Sequence, residues 1–194
     1  MARPRSFDPD AALDAARDVF WARGFAGASY EQITEATGLQ KPSLYAAFGD
    51  KQALFLKVLD RYQQGLLDHA RRVLAKPGTA REAVGRWFEG FVPLCSGARG
   101  SRGCLSVNTL VEGVGRDDAV GASLDAYNRE LEALLRARLE AGLSAGEFPA
   151  TYDVAGAAHA LVAGYNGLMV MARQAPPADL TRAAIAHLLR LLDA

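Results

Sequence analysis

Apolar residues near the start of the chain recur every three to four positions. Ala12, Leu13, Ala16, Val19 and Phe20 form such a stripe, the spacing of one helix face. Asp8 and Pro9 stand before it. Asp8 can cap the free amides, and Pro9 suits the first helical position, where its missing N–H costs nothing. Gly24 ends this helix. Ser29-Tyr30-Glu31-Gln32 is a capping-box pattern that opens a second helix, and Gly38 closes it at a natural left-handed cap position. A third helix starts near Gln40, with Pro42 in its first turn. Phe48-Gly49-Asp50-Lys51 breaks the pattern, and Asp50 can cap a long fourth helix to about Val73. The second and third helices are too short to stand alone, because isolated helices are marginal below about 12–15 residues. The pair makes sense if neighbours support it and one helix is presented outward.

Lys76-Pro77-Gly78 reads as the domain boundary. Residues 1–51 form a front domain, the fourth helix (51–74) connects, and 77–194 form a larger second domain. Thr79-Ala80-Arg81-Glu82, a second capping box, opens a helix carrying Val84, Trp87, Phe88 and Phe91. Residues 96–103 are a glycine-rich loop, and a short helix follows from Cys104. A long helix from about Asp118 to Leu143 lines up Leu124, Leu131, Leu134, Leu135 and Leu139. Helices near 152–174 and 179–193, split by Ala175-Pro176-Pro177, finish the chain. No segment alternates β-branched residues as a strand would. The expected fold is all-α, with about nine helices.

Half of the 194 residues are hydrophobic, enough for a sizeable core. Lysine plus arginine is 22 and aspartate plus glutamate is 22, so no net charge draws the chain to nucleic acid. Any DNA binding must come from a local arrangement. Two cysteines are too few for a disulfide framework, and no apolar leader precedes them. No stretch approaches the ~20 apolar residues of a membrane span. The expectation is a cytoplasmic protein with reduced thiols and no membrane partner. The three histidines are scattered, and neither a metal-ligand spacing nor a nucleophile or phosphate-loop motif occurs. No enzyme activity, metal or cofactor is expected.

The short pair matches a helix-turn-helix, whose second helix enters the major groove. Leu39, Leu44 and Phe48 face inward, against Phe20 and Ile33. The outward face holds Lys41, Ser43, Tyr45 and Ala46, which can reach phosphates, base edges or a thymine methyl. Ser29, Tyr30 and Lys51 sit at helix starts able to grip the DNA backbone. Residues 1–51 hold six basic and seven acidic side chains. Asp10, Asp14 and Asp18 lie at helical spacing as a solvated face turned from DNA.

The run "ALDAARDVFWARGFAGASYEQITEATGLQKPSLYAAFGDKQALF" resembles the DNA-binding domain of the TetR family of transcriptional regulators. The resemblance covers residues 7 to about 60; beyond it the chain matches only as a helical domain of suitable length. It implies that Lys41, Pro42, Ser43, Tyr45 and Ala46 lie in the groove-facing helix. Lys51 becomes a phosphate contact and Arg3 and Arg5 a basic arm. It also implies a homodimer on a double-stranded DNA operator.

The second domain then has two tasks, pairing and sensing. The helix from Tyr152 is rich in small residues, among them Ala155, Gly156, Ala163, Gly164 and Gly167. With Leu180, Ile185, Leu188 and Leu192 of the last helix it can form a four-helix interface with a second copy, or pack within a monomer. Trp87, Phe88 and Phe91 offer an aromatic wall for a small-molecule inducer. Asn108, Tyr127, His159, Tyr165 and Asn166 are polar candidates to orient it, and each alternatively belongs to core or surface. Cys104 follows Arg99-Gly100-Ser101-Arg102-Gly103 and begins a helix, where arginines and the helix start stabilise a thiolate. Cys95 is a candidate resolving partner. Arg-Gly-Cys-Leu here resembles a subset of TetR-like regulators, some of which sense electrophiles or oxidants. The alternative is that Cys104 is a small buried hydrophobe. The function expected is a repressor released by a small molecule or thiol-reactive signal. The alternative is a helical ligand-binding or thiol-sensing protein that does not bind DNA.

Overall fold

The computed structural model describes residues 7–96, 102–113 and 118–193. Arg3, Arg5 and Arg99 lie outside the described residues. Ten helices occur among those described: α1 Pro9–Gly27, α2 Tyr30–Thr37, α3 Lys41–Phe48, α4 Lys51–Leu74 and α5 Ala80–Glu89, then α6 Val92–Ser96, α7 Leu105–Val111, α8 Asp118–Ser144, α9 Val154–Ala172 and α10 Ala178–Leu189. A 3₁₀ turn, Arg190–Leu192, follows α10. The described residues contain no strand.

The caps act as the residue types require. Asp8 accepts from the Asp10 amide, and Asp50 from the Ala53 amide. Ser29 with Gln32 and Thr79 with Glu82 close reciprocal capping boxes. Gly24 (φ 70°, ψ 171°) breaks α1 before its last turn, and Gly38 (φ 68°) ends α2 in the left-handed region. One expected helix is divided. The helix opened by Thr79 stops at Glu89, Phe91 lies beyond its end, and α6 follows. Pro93 has no N–H to donate back to the Glu89 carbonyl, so the ladder cannot run through, and Pro93 stands instead in the first turn of α6.

Two apolar clusters form the interior. The first joins α1, α2, α3 and the start of α4: Ala16, Phe20, Ile33, Leu44, Phe48, Phe55 and Leu59. Leu105 of α7 and Val120 and Leu124 of α8 complete it, so the second part of the chain seals the front core. The other cluster holds Leu67 to Leu74 of α4, Trp87, Phe88 and the inward faces of α8, α9 and α10. The 24-residue α4 runs through both. A shift of α4 or α7 therefore reaches the front helices directly.

Contrary to the sequence expectation, one helix, α9, is long and apolar enough to cross a membrane by length and composition. Its alanines raise hydropathy without bulk. Leu161, Tyr165, Leu168 and Ala172 pack into the core, as in the central helix of a folded domain.

Candidate DNA interface and effector cavity

α3 is pinned by Leu44 and Phe48, both buried, and Phe48 meets Phe7 at 6.2 Å between ring centroids. The periodicity that buries these two turns Lys41, Pro42, Ser43, Tyr45 and Ala46 outward, and all five are exposed. Tyr45, 45% exposed, stacks on Tyr30 of α2 at 5.3 Å and 18°. Lys41 Nζ lies 4.8 Å from the Tyr30 ring centroid. The stacked tyrosines thus tie α2 to α3, and the lysine rests on the Tyr30 ring. Burial, and after it the Tyr45 hydroxyl, raise the Tyr30 pKa, so its phenol is a neutral donor. The Tyr30 oxygen is shielded and completes no hydrogen bond within the protein.

Ser29 is committed to capping: its Oγ accepts the Gln32 amide at 3.3 Å, and the Glu31 backbone amide, helped by the Ser29 hydroxyl, holds the Glu31 carboxyl below its ordinary value. Lys51 is folded back. Its Nζ donates to the Ala26 carbonyl at 3.5 Å and lies 4.9 Å from the Phe25 ring centroid. Asp10, Asp14 and Asp18 are more than a solvated face. Arg61 of α4 pairs with Asp10 and Asp14 at 3.1 and 3.3 Å, and Arg102 reaches Asp18 at 3.5 Å.

A cavity of about 420 Å³ opens where α1, α4, α6, α9 and the approach to α7 converge. Trp21, Tyr62, Leu66, Phe91, Tyr165 and Met169 wall it, and Cys104 lies in its lining. Leu94 and Arg102, both well exposed, stand among the lining residues. Cys104 Sγ accepts from the Tyr62 hydroxyl at 3.5 Å and the Tyr165 hydroxyl at 3.6 Å. The Tyr127 hydroxyl donates in turn to Tyr165 Oη at 3.4 Å. Burial first, then the sulfur, raises the pKa of Tyr62 and Tyr165, and burial raises that of Tyr127. The phenols therefore stay protonated and aim two donors at the sulfur.

The structure sorts the sequence candidates. Phe91, Tyr165 and Cys104 meet at the cavity. Trp87 does not reach it. It is core, packed on Phe88, Phe91 and Tyr165 with centroids 4.8–5.3 Å apart. Tyr127 and Asn166 border a separate cleft of about 10 Å³, room for roughly one water. Asn108 is turned to the chain before α7: its Nδ2 donates to the Arg102 carbonyl at 2.6 Å. His159 is exposed and faces Glu132 at 3.1 Å. Cys95 is a free thiol, buried off the cavity, and burial pushes its pKa up. That is the environment of a small hydrophobe. The Arg102 guanidinium is drawn to Asp18 and the Trp21 face, so the Cys104 sulfur is met by tyrosines instead. Trp21 and Tyr62 went unseen in the sequence. Trp21 follows Phe20 on α1, off the apolar stripe, and becomes a cavity wall only when α7 folds across α1.

Across the far end, α9, α10 and the 3₁₀ turn after it leave Val170, Met171, Leu180 and Leu191 exposed, each above 40%. A Cβ on Gly164 would come within 2.6 Å of the Leu188 side chain, so the missing side chain admits α10. Among the described residues no group of three metal-ligating side chains converges.

The comparisons agree with this geometry over nearly the whole chain. Residues 12–58 match the family described as bacterial regulatory proteins, tetR family, and residues 75–188 match the tetracyclin repressor-like C-terminal domain. The HTH-type transcriptional repressor ComR of Escherichia coli K12 is 30% identical over 173 residues, 89% of this chain and 82% of that protein. The repressor BdcR of the same organism is 47% identical over 60 residues, 31% of this chain and 30% of that protein. A cysteine-substituted form of the TetR family regulator CifR, solved on a 26 bp double-strand operator, superposes with a TM-score of 0.87. It is 37% identical, over 97% of this chain and 98% of that one. The reduced form of Escherichia coli NemR shares the fold, with a TM-score of 0.83 at 21% identity over 92% of this chain and 93% of that one. The chain belongs to the TetR family of bacterial transcriptional regulators.

Proposed function

We propose that this chain is a homodimeric repressor that reads its operator with α3 and is released by a small apolar molecule reacting at Cys104. Residues 1–51 form the reading head, α4 connects, and residues 77–194 pair the subunits and hold the effector. The observation that carries the reading is the pinning of α3 by Leu44 and Phe48 with five consecutive-turn residues left exposed. Lys41, Ser43 and Tyr45 read base edges or phosphates, Pro42 and Ala46 pack against bases or sugar, and Ser29, Lys51 and the backbone N–H of Tyr30 at the start of α2 grip phosphate. The exposed apolar side chains of α9 and α10 form the pairing face, which sets the two reading helices one half-site apart.

The cavity supports a neutral, thiol-reactive effector. Its walls are aromatic and aliphatic, and Arg102, the one charged side chain among the described lining residues, is paired with Asp18. With an activated alkene, the Cys104 sulfur bonds to the β-carbon, the π pair moves to the α-carbon, and that carbon takes up the thiol proton. No oxidant is consumed. The adduct occupies the cavity and separates its walls, which favours the subunit spacing that fits DNA less well. Nothing in this reading requires catalysis, and the cytoplasm is where such a regulator meets DNA.

The test is a gel-shift titration on DNA from around the chain's own gene, with and without a mild thiol reagent, with Cys104→Ser in parallel. Release of retained DNA only when Cys104 is present supports the whole reading. Retention indifferent to the reagent keeps the regulator and assigns the cavity to a ligand that does not react. An unbiased pool of DNA sequences from which nothing is retained sinks it.

A further inference from the structure

We propose that Trp21 is the positioning residue through which the Cys104 cavity moves the DNA-reading helices; this rests on the effector reading above. Trp21 belongs to α1, in the front part of the chain, yet it walls the cavity. Its Nε1–H donates to the Arg102 carbonyl at 3.0 Å, two residues before Cys104. Asn108 Nδ2 donates to the same carbonyl, so that oxygen joins α1 to α7. The Arg102 guanidinium lies 6.0 Å from the Trp21 ring and 3.5 Å from Asp18, one turn earlier on α1. Tyr62, whose hydroxyl donates to Cys104, meets Trp21 edge-on at 5.2 Å.

Two short paths thus run from the sulfur to one indole, through the Tyr62 ring and through the backbone from Cys104 to Arg102. The other end of α7 presses the same helix. A Cβ at Gly24 would meet the Glu112 carboxylate at 2.6 Å, so that carboxylate rests on the break in α1. Beyond the break lie Ala26, where Lys51 is held, and Ser29, which starts α2. A group added to the sulfur displaces Tyr62 or the residue 102–104 segment. Either movement pulls on Trp21 and shifts the last turn of α1 together with α2 and α3. Gly103 leaves little slack to absorb it. It sits at φ +63°, and a Cβ there would lie 3.0 Å from Arg173 and Asn108 atoms. Proximity along a path is not coupling; the ratio of operator affinities with and without a group on the sulfur measures it.

The experiment uses the full chain in a Cys95→Ala background, where Cys104 is the sole cysteine. Methyl methanethiosulfonate is the probe: the Cys104 sulfur bonds to its sulfenyl sulfur, and methanesulfinate departs with the thiol proton. Mass spectrometry establishes complete labelling. Operator affinity is then measured for labelled and unlabelled protein, with Trp21 intact and as Trp21→Phe. With Trp21 intact, labelling weakens binding by about 10-fold to 100-fold. Trp21→Phe keeps a ring but no N–H, binds the operator normally when unlabelled, and loses most of the response. Arg102→Gln, at an exposed position, is the second variant and also blunts the response; it decides the matter if Trp21→Phe does not fold. A merely structural role would alter unlabelled affinity and leave the ratio unchanged. Equal responses in parent and variants overturn the Trp21 role and leave the sensor standing. A parent that labels fully and holds its operator unchanged overturns the sensor reading and this inference with it.

Discussion

Replacing Tyr45 separates the work of its ring from that of its hydroxyl. The ring lies against Tyr30, 5.3 Å away and nearly parallel, while 45% of the residue faces solvent. An aromatic pair contributes about 0.5–1.5 kcal/mol beyond its buried area, and half-exposure puts this one at the lower end. Tyr45→Phe keeps the stack and removes the hydroxyl. A hydrogen bond to a charged phosphate is worth about 1.5–3 kcal/mol. Two subunits on one operator double it to roughly 3–6 kcal/mol, a loss of about a hundredfold or more. Tyr45→Ala loses the same bond and also about 0.5 kcal/mol of folding stability as the stack disappears. The assay is fluorescence anisotropy on labelled operator, with thermal melting and sedimentation of the free protein beside it. Both variants are expected to sediment as the parent does, and only the alanine form to melt earlier. A phenylalanine variant that binds like the parent shows that the hydroxyl never reaches DNA. An alanine variant that falls to monomer shows that Tyr45 is internal support, and the argument for α3 as the reading surface loses its central residue.

Lys51→Ala should weaken binding about equally on all DNA sequences and flatten the salt dependence by about one unit per subunit. Titrations at several salt concentrations check this, and an unchanged slope means Lys51 stays on Ala26 and Phe25 in the complex. Stability should fall as pH rises above about 10, the ordinary tyrosine value. Tyr62, Tyr127 and Tyr165 have raised pKa values in the folded chain, so above that pH the unfolded chain releases protons that the folded one retains. Melting curves across alkaline pH, followed by phenolate absorbance, should show these phenols ionising only with unfolding; early titration of all six tyrosines contradicts the buried cluster. Met171→Glu places a charge on the exposed apolar face of α9, where the residue is 51% exposed. It should leave helix content intact while shifting the dimer to monomer in sedimentation, and a dimer of unchanged stability would place the interface elsewhere.

The local rules decided the front of the molecule. Caps at Asp8, Ser29 and Asp50, left-handed Gly38 and the period of Phe20, Ile33, Leu44 and Phe48 define three helices, their inward sides and the surface α3 presents. Those signals act over a few residues, so composition and spacing carry them. Gly90 and Pro93 carry a local signal of the same kind, the break before α6. The effector cavity is different in kind. Its wall comes from positions as distant as Trp21, Tyr62, Cys104 and Tyr165, and no local pattern states that α7 crosses α1 or that α4 joins two cores. The sequence marked Cys104 through neighbouring arginines, whereas the fold sends Arg102 to Asp18 and gives the sulfur two tyrosine hydroxyls. Trp87, an equally plausible wall by sequence, is taken up by the core because α5 turns it toward Phe91 and Tyr165. Secondary structure followed from short-range chemistry. Which side chains share a cavity was decided by how the helices cross, because burial rewards any apolar partner and only packing chooses among them.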